Sequence, residues 1–406
     1  MTSTPAAPQY ERRRVGWLSL AQLVTWGSVF YTFSLLLEPV ERELGLSRAQ
    51  SSLAFSLALL VEGAMAYPVG RWIDRGHERA VMTCGSLAVA VLLVLHGAVH
   101  SAGAFYLVWA GLGAALSATL YNPVFAVLTR RYPHDFRRAI ITVTFLGGLA
   151  STVFIPLSAW LISVFGWRHA LWVLAAMHLL LCAPLHAIQL RGAPGPVQPK
   201  ASSGMAGASS YMRSAPFLLI GVFVVGMMGV TASLPPHMVS LLRGSGLSEA
   251  WVIAIPASIG VIQVLGRLLL FFFERHFDLH VANRMIPVLI PLGLGALIAG
   301  AGHPWAALLF VLLYGLGNGM LTIVKGTAIA QYVNREHVAS LNGALGLPSA
   351  IARALAPFML GVLWTAESGY SRGLWLLLAM SIMAVLALHL AQRRALRAPA
   401  ASEVRG

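Results

Sequence analysis

Charge is scarce in this chain. Of 406 residues only 10% are Asp, Glu, Lys or Arg, against about 25% in an ordinary soluble domain. Acids are the scarcer sign, 14 against 28 Lys and Arg. There are only 2 cysteines. Both, Cys84 and Cys182, lie in apolar stretches, which argues against a disulfide framework and a cysteine-based metal site. No loop is long enough for a soluble domain. No Gly-x4-Gly-Lys-Ser/Thr phosphate loop occurs, so nothing in the chain points to ATP as an energy source. The stretch from Met1 to Glu11 is polar, and Arg12, Arg13 and Arg14 lead straight into an apolar run. It reads as a tail and not as a cleavable leader.

What the chain has in abundance is apolar length. Hydrophobic residues make up 58% and mean hydropathy is +0.75. A membrane-spanning helix needs about 20 apolar residues. Such runs lie near 17–37, 50–72, 80–98, 104–129, 139–163, 168–190, 214–240, 249–273, 281–301, 305–331, 340–364 and 372–393. The expectation is an all-α membrane protein with twelve transmembrane helices.

Lys and Arg set the orientation, because they concentrate in cytoplasmic loops. With an internal N-terminus, about 20 of the 28 fall on the cytoplasmic side. The outer side receives Arg42, Arg48, Arg168, Arg243 and Arg372. Both termini are therefore expected in the cytoplasm. This bias also accounts for the net charge of +14 without a nucleic-acid partner. The stretch 191–213, rich in Pro, Gly, Ser and Ala, reads as a flexible linker. It divides the chain into an N-tail (1–15), a six-helix bundle (16–190), the linker (191–213), a second bundle (214–393) and a C-tail (394–406). The halves echo each other weakly. Gly70-Arg71 through Arg75 closes the second helix of the first, and Gly266-Arg267, then Glu274-Arg275, closes that of the second. Internal repeats of this kind accompany secondary transporters with mid-membrane sites.

Three cations interrupt the apolar runs of the second half: Arg267, Lys325 and Arg353. Each costs roughly 2.5–3.5 kcal/mol at mid-bilayer on the lenient insertion scale, so a water-filled, electropositive cavity is implied. Residues three or four apart share a helix face, and Pro256, Gly260, Gln263 and Arg267 follow a 4-3-4 spacing on helix eight. A guanidinium there can hold a carboxylate through two parallel hydrogen bonds; the alternatives are pairing with a neighbouring helix or snorkelling to the surface. On helix ten, Tyr314, Asn318, Thr322 and Lys325 make a polar stripe among Gly315, Gly317 and Gly319. Lys325 either sets the cavity potential or snorkels. On helix eleven, Asn342, Gly346, Ser349 and Arg353 repeat the stripe, with gating or inter-helix pairing competing against substrate contact for Arg353. Glu62 is the one acid deep within a span, in helix two. An acid there can exchange a proton as its surroundings change; a salt bridge or a protonated packing role are the alternatives. Trp26, Tyr31 and Tyr121 are candidates to line a cavity. The histidines His96, His178, His186 and His237 lack metal-site spacing and read as packing residues, with His237, after Pro235-Pro236, the one to test.

Gly70-Arg71-Trp72-Ile73-Asp74-Arg75-Gly76-His77-Glu78-Arg79 resembles the loop signature of the major facilitator superfamily, at its usual place between helices two and three. The resemblance implies two pseudo-symmetric six-helix bundles that rock about a central cavity. It assigns Gly70, Asp74, Arg75 and Arg79 to a gate, with Arg130 or Arg131 as partners. Tyr121-Asn122-Pro123, Arg131 to Ala139, Gly147-Gly148 and Gly166-Trp167-Arg168 are similar to the monocarboxylate-transporter branch and its bacterial relatives. That branch carries a helix-eight Arg, matched by Arg267, four residues after an Asp, where Gln263 stands here. Its helix-one Lys is replaced near Ser34, and its acidic-Gly-aromatic start is reduced to Gly16-Trp17. The signature glycines of drug/proton antiporters on helix five are missing.

The expectation is a multi-pass inner-membrane secondary transporter of a small organic anion, a carboxylate. Arg267, Gln263, Lys325, Asn318, Thr322 and Tyr121 would contact cargo, and Glu62 would couple protons. Gly70, Asp74, Arg75, Arg79, Arg131 and Arg353 would gate. No cofactor, metal or obligate protein partner is expected. The rival reading is a proton-driven exporter of amphipathic or drug-like compounds, disfavoured by three bases against one acid in the spans. A membrane sensor or membrane enzyme fits less well: there is no output domain, and no nucleophile–base pair.

Overall fold

A computed structural model describes residues 11–192, 210–273, 278–334 and 337–397. The first ten residues, most of the 191–213 linker with Lys200, Glu274 with Arg275, Arg335, and the tail beyond 397 lie outside the described residues.

The described residues are almost wholly helical. Ten stretches are long and apolar enough to cross a membrane. Two of them, Arg48–Gly97 and Arg138–Gln189, run 50 and 52 residues, about twice what one crossing needs. Each is broken by one glycine with positive φ: Gly76 at φ 92° and Gly166 at φ 76°. That conformation is open to Gly because it has no Cβ. Counted across those breaks, the described residues form twelve spans. They are α1 (Arg12–Leu44), α2 (Arg48–Trp72), α3 (Glu78–Gly97), α4 (Ala102–Arg131), α5 (136–165), α6 (167–189), α7 (Ala215–Gly244), α8 (Glu249–Phe273), α9 (His280–Ala299), α10 (Pro304–Tyr332), α11 (Val338–Val362) and α12 (Ser371–Arg397). Large apolar side chains such as Leu107, Leu180 and Phe272 stand exposed on the helices, as a hydrocarbon surrounding allows and water does not.

The helix ends follow local chemistry. Gly45, left-handed at φ 66°, closes α1. Ser101 caps α4 by accepting from the Ala104 amide at 3.3 Å, and Ser214 caps α7 from Phe217 at 3.4 Å. Within α4 the helix lapses at 118–120 and restarts at Tyr121. Pro123 sits in that new first turn, where a missing N–H costs least.

The chain forms two compact units. Among the described residues, the first holds 11–46 and 57–192, and the second holds Ser47–Ser56 and those from 210 onward. The opening turns of α2 thus fall in the second unit. Hydrogen bonds account for it. The Phe358 amide donates to Ser56 Oγ at 3.1 Å, and Arg48 donates to the Tyr370 hydroxyl at 2.6 Å while its guanidinium lies 4.9 Å from the Trp364 ring centre.

In the first unit α1 and α6 each contain one π-helical turn, Trp26–Tyr31 and His178–Cys182. The two turns are joined by Ser28 Oγ and His178 Nε2 at 2.7 Å. Beside them Thr32 and Ser158 hydroxyls meet at 2.7 Å, and Gln22 donates to the Thr119 carbonyl at 2.5 Å. In the second unit α8 packs on α10, and α7 on α11 and α12.

Candidate functional site

Glycine builds the α8–α10 crossing. A Cβ on Gly315 would stand 2.7 Å from Ile262, one on Gly266 would stand 2.9 Å from the Leu316 carbonyl, and one on Gly319 would strike the Gln263 backbone. This close approach brings Arg267 within reach of α10: its Nε donates to the Gly319 carbonyl at 3.3 Å. The Thr322 hydroxyl donates to the same carbonyl at 3.0 Å. Gln263, one turn before Arg267, is buried at 7% exposure. Asn318, Thr322 and Lys325 share one face of α10 by spacing. Thr322 is exposed, and Asn318 and Lys325 are half-buried, while Tyr314 and Gly315 are buried. Tyr314 belongs to the packing: its hydroxyl donates to the Thr231 carbonyl of α7 at 3.1 Å. Lys325 makes no hydrogen bond or ion pair among the described residues. The spans of this unit carry Arg267, Lys325 and Arg353, and no acid beyond Glu249 at the start of α8. Glu249 is held by Arg243 at 2.6 Å. Arg353 is half-buried on α11.

The first unit holds the remaining candidates. Tyr121 is half-buried, with its ring 5.0 Å from Trp26 and stacked on Phe125 at 5.3 Å. Gly147 on α5 makes room for it, since a Cβ there would lie 2.5 Å from the Tyr121 hydroxyl. Glu62 on α2 is buried at 5% exposure.

The 70–79 stretch is arranged differently from the expected pairing. Asp74 and Arg75 are exposed, and neither Arg130 nor Arg131 goes to Asp74. Both turn to Glu78, which is fully buried. Arg131 Nε lies 2.5 Å and Arg130 3.2 Å from its carboxylate. Arg130 also donates to the Ile73 carbonyl, and Arg131 to the Leu190 carbonyl at 2.8 Å, tying α4 to the ends of α2 and α6. Arg79 donates to the Ala187 carbonyl at 2.7 Å. Gly70 is half-buried with no atom in the way of a Cβ.

Glu78 stands inside the 70–79 loop signature without being one of its expected gate residues. Glu43 was missed too. It receives Arg168 at 2.7 Å and the Trp167 indole at 2.8 Å, so the Gly166-Trp167-Arg168 motif turns the chain and anchors it to the end of α1. The buried histidines are partnered unevenly, with both ring nitrogens of His96 buried and unpartnered among the described residues. His186 meets Ser86 at 2.9 Å, and His237 lies between the Tyr370 hydroxyl at 3.0 Å and the Pro357 carbonyl at 2.9 Å. His96 sits among the rings of Phe105 and Trp109.

Known proteins share this architecture. Monocarboxylate transporter 13 of Bos taurus is 26% identical over 300 residues, 69% of this chain and 68% of its own length. An uncharacterized 38 kDa protein in the 23S RNA operon of Thermoproteus tenax is 24% identical over 370 residues, 89% of this chain and 91% of its own. Among solved structures, a bacterial homolog of the human lysosomal transporter Spinster, inward-facing and unoccupied, superposes with TM-score 0.72 at 19% identity, covering 96% of this chain and 99% of that one. The nucleoside transporter NupG gives 0.71 at 16% identity, covering 93% and 98%. A family model described as Major Facilitator Superfamily matches residues 18–357, and the chain belongs to that superfamily of membrane transporters.

Proposed function

We propose that the chain is a secondary active transporter of a small organic anion, a carboxylate, working by alternating access and coupled to protons through Glu62. The observation that carries this reading is Lys325: a half-buried ammonium within a span, unpaired among the described residues, on the α10 face of Asn318 and Thr322. A cation is expensive at membrane depth unless it serves a pathway. Arg267, fixed to α10 through Gly319, adds the planar fork that suits a carboxylate, and Gln263 and Tyr121 supply neutral hydrogen-bonding groups. The name of the bovine relative weighs toward a carboxylate. The Spinster homolog and NupG share the fold alone.

In this reading the halves 16–190 and 214–393 are the two moving bundles, joined by the 191–213 linker, in the inner membrane with both termini cytoplasmic. Gly70, Asp74, Arg75 and Arg79 act as a gate with Arg131, and Arg353 biases gating from α11. Glu78 joins that set as the anchor of Arg131.

The test is thermal denaturation of purified protein with mono-, di- and tricarboxylates, nucleosides and lipophilic cations. A ligand that binds only the folded state stabilises it by about 2.7 kcal/mol at a hundredfold excess over Kd. The expected result is a rise in melting temperature with one carboxylate class, lost in Arg267→Ala. Stabilisation by a nucleoside or a lipophilic cation, with no carboxylate effective, would overturn the reading.

A further inference from the structure

The first unit carries a groove of about 590 Å³ that is lined by Arg75 of the proposed gate and by none of the proposed cargo contacts. Helix α2 contributes Met65 and Trp72 to its wall, α3 contributes Cys84 and Ala88, and α4 contributes Gly111 and Ala114. The small residues on α3 and α4 create the hollow. Its volume falls in the range of ligand pockets, roughly 300–1,000 Å³, but its body is hydrocarbon-like and offers no polar group to orient a hydrophilic cargo. Arg75 and His77 are the basic lining residues, and both belong to the α2–α3 turn at one end.

The charge at that end is lopsided. Arg71, Arg75, His77 and Arg79 are exposed there, against one exposed acid, Asp74. Glu78 is withdrawn, fully buried between Arg130 and Arg131. Trp72 and Tyr67, in the last two turns of α2, are exposed, with Arg71 lying 5.8 Å from the Tyr67 ring centre. Aromatic side chains of this kind collect where hydrocarbon meets headgroups, and basic pockets between membrane helices hold anionic headgroups. A greasy hollow ending in surplus positive charge at headgroup depth matches one molecule: a lipid with a negative head.

We propose that this groove holds an acyl chain of an anionic phospholipid, with its phosphate at Arg75 and His77. The lipid bridges α2, α3 and α4 beside the turn that carries Asp74 and Arg75. Its binding is separate from cargo binding at α8 and α10.

The chain supplies its own reporter. Cys84 lines the groove and is exposed, whereas Cys182 is buried. The full-length protein is reconstituted in phosphatidylcholine vesicles with or without phosphatidylglycerol, and N-ethylmaleimide labelling of Cys84 is timed. Wild type should label about fivefold or more slowly in the anionic vesicles, because bound lipid covers the thiol. An anionic surface also lowers the local pH, so Arg75→Gln is measured in the same vesicles. It should lose most of the retardation, and Ala114→Leu, which fills the hollow, should make labelling insensitive to lipid composition. Equal wild-type rates in the two vesicles, or equal retardation in wild type and Arg75→Gln, would overturn the proposal. Retardation that scales with protein density instead of phosphatidylglycerol content would also overturn it, in favour of a second copy of the chain.

Discussion

Glu78 holds the 70–79 turn in place by accepting from two arginines, and this makes it the most consequential acid outside the proposed pathway. Removing one partner of a buried ion pair leaves the other charge uncompensated, at about 3–5 kcal/mol. Glu78→Gln should therefore lower the melting temperature and the yield of folded protein. Asp74→Asn, at an exposed position, should leave both unchanged and slow transport without weakening cargo affinity. Equal melting curves for wild type and Glu78→Gln would contradict the first; loss of cargo binding in Asp74→Asn with unaltered conformational exchange would contradict the second. The resemblance put these residues on the right turn but gave Arg130 or Arg131 to Asp74, four positions before the acid that receives them. Gly76, left-handed at φ 92°, lies between the exposed Asp74 and the buried Glu78. At Arg267 the expectation is sharper: Lys carries the same charge without the planar fork. Arg267→Lys should recover little of the cargo binding lost in Arg267→Ala, where one charge-assisted contact is worth roughly 2–5 kcal/mol. Full recovery by Lys in a binding titration would show that charge alone matters there.

At the scale of elements, the α8–α10 crossing decides where the cations lie. Its glycines were legible as a cluster, but their purpose was not, because a run such as Gly315 to Gly319 signals flexibility and close packing equally well. The structure resolves it: Gly319 meets the Gln263 backbone and Gly266 the Leu316 carbonyl. Gly319→Val should push the helices apart, break the Arg267–Gly319 bond and reduce both stability and cargo binding. Gly326→Ala, on the same helix with open space around it, should be neutral or slightly stabilising, since Ala exceeds Gly by about 1 kcal/mol in helix propensity. The two can be compared by melting temperature in one detergent, and equal effects would mean that the crossing tolerates separation. The lapse in α4 before Tyr121 and the π-helical turns in α1 and α6 were not legible. Side chains meet across helices at these places, Ser28 with His178 and Gln22 with the Thr119 carbonyl, and hydropathy carries no trace of that.

For the molecule as a whole, apolar run length carried most of the fold, because a bilayer constrains the backbone more tightly than water does. The spans lie close to where hydropathy placed them, and the breaks at Gly76 and Gly166 fall between expected helices. The membership of Ser47–Ser56 in the second unit was hidden, since it rests on Arg48, Ser52 and Ser56 finding partners some 185–322 positions away. Reporter fusions at residue 200 and at Gly406 should both report the cytoplasm, and an external signal at either would refute the orientation. The central claim is cargo, and uptake of radiolabelled carboxylates into proteoliposomes under an imposed proton gradient tests it most directly. The account predicts uptake of one carboxylate class that responds to the gradient, is abolished in Arg267→Ala and loses its gradient dependence in Glu62→Gln. Wild-type uptake in correctly inserted Arg267→Ala, or no carboxylate uptake at any gradient, would contradict it.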